Sequence, residues 1–164
     1  MARPRTDTPL LPSVLDRLID DAPEAARDPL RSDAQVLKAI VQSVRRDLEQ
    51  LLNCRRRFQP WPRQLRELQK SSVGYGLPDV TGKDLASTSG REEFRRSVEQ
   101  VIRTFEPRFQ SVDVQILSNA DEIDRTLRFR VDAVLRAEPV PIEVIFDSQL
   151  EPSTGSFNVK GQAT

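Results

Sequence analysis

The feature that most limits the fold is a change of hydrophobic period at Pro107. Before it, apolar residues recur at helical spacing; after it, they alternate. Leu37, Ile40, Val41, Val44, Leu48, Leu51 and Leu52 fall at i, i+3, i+4, i+7, i+11, i+14 and i+15, one stripe along a helix. Ser32 with Gln35 three residues later forms a capping box that starts it, and it ends near Asn53. A second stripe, Phe94, Val98, Val101, Ile102 and Phe105, predicts a helix opening at Ser89, with Glu92 completing its capping box. Arg95, Glu99 and Arg103 lie four apart on its polar side and can pair. Pro107 stops this helix, because proline disfavours the helical conformation in the residue before it.

Beyond Pro107 three stretches alternate: Val112–Leu117, Leu127–Leu135 and Ile142–Asp147. Each reads as a strand with one apolar face. Short connections favour an antiparallel meander, and Phe157–Val159 adds a marginal fourth strand. The fold class is therefore α+β: a small antiparallel sheet of three to four strands, covered on one face by two main helices. Both sheet edges should carry unpaired backbone groups, open to an added strand. Leu11, Leu15, Leu18 and Ile19 mark one or two amphipathic turns, and Gln64–Gln69 a short helix. Ser71–Gly82 has the composition of a turn. Residues 1–10 read as a flexible arm and 11–164 as a single domain.

Composition removes several chemistries. The 164 residues include no histidine, so there is no imidazole base or histidine metal ligand. The single cysteine, Cys54, excludes an internal disulfide or a thiolate zinc cluster within one chain. No cofactor motif is present, and the apolar runs are too short for a signal peptide or membrane span. Twenty-five basic and 25 acidic residues balance, which disfavours a nucleic-acid surface. Arg55–Arg57, following the first helix, reads as a charge complement to the helix dipole before it reads as a phosphate patch. Trp61 is either a core plug or a partner anchor.

Glu106–Pro107–Arg108 places opposite charges at a helix exit, on a proline-fixed turn between Phe105 and Phe109. It can recognise a partner or fasten helix to sheet internally. Tyr75, the lone tyrosine, and Arg128 and Arg130, on the outer side of the middle strand, are secondary candidates for partner contact. Glu106 in an apolar flank is also the best candidate acid for glycoside hydrolysis, but no second carboxylate stands out.

Several phrases in order carry a resemblance: LPSVLDRLIDD at 11–21, VRRDLEQLLNCRRR at 44–57, SVGYGLPDVTG at 72–82, FEPRF at 105–109, LRFRVDAVL at 127–135 and IFDSQLEPSTG at 145–155. Together they resemble the TssE family, small baseplate subunits of the bacterial type VI secretion system. That family belongs with the contractile-phage baseplate wedge proteins sometimes labelled "lysozyme-like". Gly74 departs from the pattern, which implies bulkier residues before the tyrosine. The resemblance makes Glu106, Pro107 and Arg108 the hallmark triplet, which contacts the helical core bundle of the wedge. It implies a sheet like the interlocking domain of sheath proteins, and a role in starting sheath assembly. Implied partners are the wedge subunits TssF, TssG and TssK, the sheath proteins TssB and TssC, and the spike hub. Implied too are a cytoplasmic location at the membrane-proximal baseplate, no membrane insertion, no nucleic acid, no cofactor or metal, and no catalytic residue. The alternative function is a peptidoglycan hydrolase acting through Glu106.

Overall fold

The computed structural model describes residues 14–19, 23–24, 32–56, 64–79, 85, 87–118, 126–136, 141–151 and 154–163. The predicted arm at 1–10, Arg57 and Trp61 lie outside the described residues. Among the described residues, α-helices α1 (Val14–Leu18), α2 (Asp33–Asn53) and α3 (Thr88–Phe105) precede strands β1 (Phe109–Leu117), β2 (Leu127–Leu135), β3 (Ile142–Glu151) and β4 (Ser156–Ala163). The strands form one antiparallel meander in the order β1-β2-β3-β4, so the α+β arrangement holds.

Local chemistry sets the helix ends. At α2 the capping box forms as expected: Ser32 Oγ accepts from the Gln35 N–H, and Gln35 Oε1 accepts from the Ser32 N–H at 2.8 Å. At α3 the cap is Ser87 and not Ser89. Ser87 Oγ accepts from the Gly90 N–H at 3.1 Å, which starts the helix earlier. Glu92 is then too far inside for a box and pairs with Arg95 and Arg96 instead. The expected Arg95–Glu99–Arg103 ladder is present, at 2.7 and 2.6 Å. Residues 66–70 form a 3-10 turn where the sequence suggested a short helix.

Both stripes bury against one sheet face. Val44, Leu48 and Leu52 of α2 and Phe94, Val98 and Ile102 of α3 are almost fully buried, as are Val114, Phe129, Val131 and Phe146 of the sheet. Each large side chain so removed from water contributes about 1.5–3 kcal/mol. Phe94 ties α3 to β2 and β4, with its ring 5.7 Å from Phe129 and 6.3 Å from Phe157. Alternation along β2 is regular, every second residue from Leu127 to Leu135 being buried. A register shift between Phe109 and Ser111 bends β1 where it leaves the helix exit. Among the described residues no helix is long and apolar enough to cross a membrane.

The fourth strand is a full element of eight residues, because α2 supplies what an outer neighbour would. Asn53 Nδ2 donates to the Phe157 carbonyl and its Oδ1 accepts from the Phe157 N–H, both at 2.9 Å. Two residues on, Arg45 Nη1 donates to the Val159 carbonyl at 3.1 Å, and Glu49 Oε1 accepts from the Val159 N–H. One side-chain amide thus performs both hydrogen bonds of a paired strand residue. The β4 edge is therefore closed along this stretch, contrary to the expectation of two open margins. At the opposite edge, Arg103 of α3 donates to the Val112 carbonyl at 2.8 Å. That carbonyl points away from β2, and the period of two puts the backbone groups of Val114 and Ile116 on the same margin.

Asn53→Ala removes both bonds to Phe157 and should cost about 1–3 kcal/mol. Asn53→Asp should cost at least as much, since a carboxylate cannot donate to the Phe157 carbonyl. Urea unfolding of the variants against wild type measures both.

Candidate functional site: the Glu106–Arg108 corner

Helix α3 ends as Glu106 donates its N–H to the Ile102 carbonyl at 2.8 Å. Pro107 and Arg108 form a turn, and the Phe109 N–H returns to the Glu106 carbonyl. The Arg108 carbonyl accepts from the Arg136 N–H at 2.8 Å, beyond the end of β2. Backbone bonds on both sides therefore hold the corner before any side chain acts.

Glu106 is buried, at 5% exposure, and Arg108 grips it as a fork. Arg108 Nε donates to Glu106 Oε1 at 2.6 Å, and Nη2 donates to Oε2. Such two-pronged guanidinium–carboxylate pairs fix direction as well as distance. The same guanidinium reaches α2: Nη2 donates to Asp47 Oδ2 at 2.7 Å and Nη1 to Ser43 Oγ at 3.3 Å. Burial works against the Arg108 charge, but Glu106 and then Asp47 outweigh it, so the guanidinium is held above its usual range. The pair therefore fastens the α3–β1 exit to α2. Of the two readings open from the sequence, the internal fastening is what these bonds make.

The network continues to the N-terminal side. Ser43 Oγ donates to Asp16 Oδ2 at 2.7 Å, and Arg46 Nη2 donates to Asp16 Oδ1 at 2.9 Å. Arg46 also pairs with Asp47 at 3.2 Å. Its charge is reinforced first by the hydrogen bond to Asp16. Asp16, Ser43, Arg46 and Asp47 were not singled out from sequence. The usable signal was the polar pair Ser43 and Asp47, one turn apart beside the apolar stripe.

Tyr75 belongs to this corner. Its ring meets Phe105 edge-on at 5.3 Å. The loop carrying it is stitched to the end of α2: Leu77 N–H donates to the Cys54 carbonyl at 2.9 Å and Arg56 N–H to the Leu77 carbonyl at 2.8 Å. Gly76 needs its positive φ of 99°, and a Cβ there would lie 2.2 Å from the Cys54 carbonyl oxygen. A Cβ on Gly74 would lie 2.5 Å from the Gln69 carbonyl oxygen, so the bulkier residue that the resemblance implies has no room. Arg128 and Arg130 lie elsewhere. Alternation along β2 turns them to the face opposite the helices, where Arg130 Nε donates to Asp147 at 2.9 Å.

A glycosidase acid must meet its substrate. Glu106 has both oxygens engaged by one arginine and almost no exposed surface, so it is not offered to a sugar chain. Arg55 follows the end of α2 in a bridge with Leu77 and lies 3.8 Å from Asp79. Among the described residues no cluster of His, Cys, Asp or Glu could hold a metal ion.

A helix-braced meander with a rigid, charge-paired exit defines a structural module. The family model described as baseplate wedge protein gp25 matches residues 38–140, more than half of the chain. The chain belongs to that baseplate wedge family. The matched span takes in the corner and leaves out α1, β3 and β4. No curated protein and no solved structure matches the chain significantly.

Arg108→Gln leaves the Glu106 carboxylate buried beside Asp47, and should cost about 3–5 kcal/mol in denaturant unfolding. Replacing both members, Glu106→Leu with Arg108→Leu, should cost less than the single arginine change, because no buried charge is then orphaned.

Burial first, then the charges of Cys54, Asp47 and Glu106, push the Tyr75 hydroxyl above its usual value of 10. A raised acid stabilises the fold below its unfolded value and loses that contribution as pH rises through the folded one. Stability should therefore fall above about pH 10, and Tyr75→Phe should flatten that fall. Thermal unfolding across alkaline pH measures it.

Proposed function

We propose that this chain is a non-catalytic, TssE-type baseplate subunit of a type VI secretion system. It joins the wedge complex through the Glu106–Pro107–Arg108 corner and seeds the first ring of the contractile sheath. The observation that carries the reading is the corner itself: a matched ion pair fixed by three elements, with Pro107 exposed at its apex. A rigid turn loses little freedom on docking, so more of the contact energy appears as affinity. Baseplate wedge membership supplies the setting. TssF, TssG and TssK are the wedge partners in this reading. TssB and TssC are the sheath proteins that follow, and the spike hub is a further partner. Tyr75 borders the contact, whereas Arg128 and Arg130 would serve a second neighbour on the far sheet face. The β1 margin at Val114 and Ile116 is the better acceptor for a sheath strand, since α2 closes β4 at Phe157 and Val159. The site of action in this reading is the cytoplasm, at the membrane-proximal baseplate.

Pull-down of a recombinant TssF–TssG wedge is the direct test. Pro107→Asp alters the exposed apex and should reduce recovery at least tenfold while circular dichroism stays unchanged. Undiminished recovery would take the triplet out of the interface. Release of soluble glycan from purified peptidoglycan by wild type, lost in Glu106→Gln, would reverse the assignment in favour of a hydrolase.

A further inference from the structure

From the corner at 106–108, β1 turns back along α3, and the two pack side by side. One row of α3 side chains follows the free margin of the strand. Arg103 marks the alignment: its Nη2 donates to the Val112 carbonyl at 2.8 Å and pairs with Glu99 at 2.6 Å. Four residues along a helix advance about 6 Å, and two residues along a strand about 6.6 Å. Glu99 therefore falls level with Val114, and Arg95 with Ile116. These three strand residues are the ones whose backbone groups face the margin. The row is not uniformly engaged. Arg95 is spent: Nε and Nη2 both donate to Glu92 at 2.9 Å, and Nη1 donates to Glu99 at 2.7 Å. Glu99 is held by an arginine on each side. Arg103 makes both its bonds through Nη2, and its side chain is 60% exposed. Among the described residues nothing bonds its Nε or Nη1.

We infer that Arg103 selects the strand that joins β1, and that the occupant is an extended protein segment with a carboxylate at the position opposite Val112. The inference rests on the strand-acceptor role proposed above for this margin and adds the chemistry of what it accepts. In an antiparallel addition, the residue that exchanges backbone bonds with Val112 turns its side chain to the same face as Val112. Val112 and Val114 are buried beneath the helices, so that face is the α3 side. The new strand's N–H takes the Val112 carbonyl, and Arg103 has to give it up. A carboxylate at that position supplies a forked partner for the guanidinium edge so released. Charge agrees, since α3 carries four arginines and three glutamates, a net of +1. Asp113 lies on the opposite face of the strand. A second copy of this chain is the wrong occupant. Antiparallel pairing of two β1 margins sets Val112, Val114 or Ile116 of the copy against Arg103, which then loses an acceptor and gains none. Arg103 thus holds the margin against strands that bring no acid and binds one that does.

The experiment measures binding of the full-length protein to blocked, fluorescent nine-residue peptides by fluorescence polarisation. Threonine alternates with valine, and the central threonine is replaced by glutamate, glutamine or lysine. The glutamate peptide should bind roughly tenfold tighter than the glutamine peptide, and the lysine peptide weakest. Methylating the amide nitrogens of the threonine-face residues should abolish binding, because those N–H groups meet β1. Arg103→Glu should reverse the order in favour of lysine, and Arg103→Ala should erase the difference between glutamate and glutamine. Circular dichroism should not change, as Arg103 lies outside the core. Equal binding of the three peptides, lost on methylation, overturns the selection by Arg103 and leaves the strand-acceptor role standing. A glutamate preference that survives Arg103→Ala overturns the selection as well. Binding indifferent to methylation, or no binding at millimolar peptide, overturns the strand-acceptor role and this inference with it.

Discussion

Arg108 is where the parts of this fold become one object. Its guanidinium holds Glu106 at the end of α3 and Asp47 on α2, while its own backbone carbonyl is bonded to the residue that follows β2. Two carboxylates sit close together at the edge of the core, one of them buried. Without the cation they would repel and remain undersolvated. The helix exit can be sharp because proline ends α3 and the pair fixes where the chain goes next. The bend at the start of β1 follows from the same constraint, since the strand leaves a corner that cannot shift.

The sheet's margins are unequal for a related reason. Helix α2 does more than cover apolar surface. Its polar residues Arg45, Glu49 and Asn53, four apart, run alongside β4 and act as a neighbouring strand. Gly161 of β4 leaves room for the Phe146 ring of the neighbouring β3, as a Cβ there would lie 2.8 Å from that ring. Edge strands left bare pair with other chains without discrimination. Closing one margin with side chains leaves the β1 side as the place where an added strand meets fewer obstacles, and this gives the module a direction.

The sequence made legible whatever depends on near neighbours. The Ser32–Gln35 box, both apolar stripes and the alternation of β1 to β3 are local patterns, and they formed as read. Ser87 and Ser89 compete for the same cap, and the choice between them depends on how Gly90 is placed. The Glu106–Arg108 pair was visible at two residues' separation. Its anchors on α2 were not, because Ser43 and Asp47 lie 65 and 61 positions from Arg108. The same holds for Asn53 against Phe157, 104 positions apart. An alternating strand announces which face is apolar, but nothing in it says that an asparagine elsewhere will complete its edge. That is why β4 looked marginal and is complete.

Helix α1 shows the limit of periodicity in a different way. Spacing says which residues share a face, and the usual inference turns that face to the core. The direction is settled by what the polar side finds. Asp16 finds a hydroxyl and a guanidinium already organised by Asp47 and Arg108, so its burial cost is met by charge-assisted bonds. The apolar residues have no comparable partner on this chain among the described residues, and turning them inward would strip Asp16 of both bonds. The helix orientation is thus a consequence of the corner chemistry. A network of three carboxylates on two guanidiniums holds its members in fixed positions, and what it offers a neighbour is that fixed geometry more than a strong net charge.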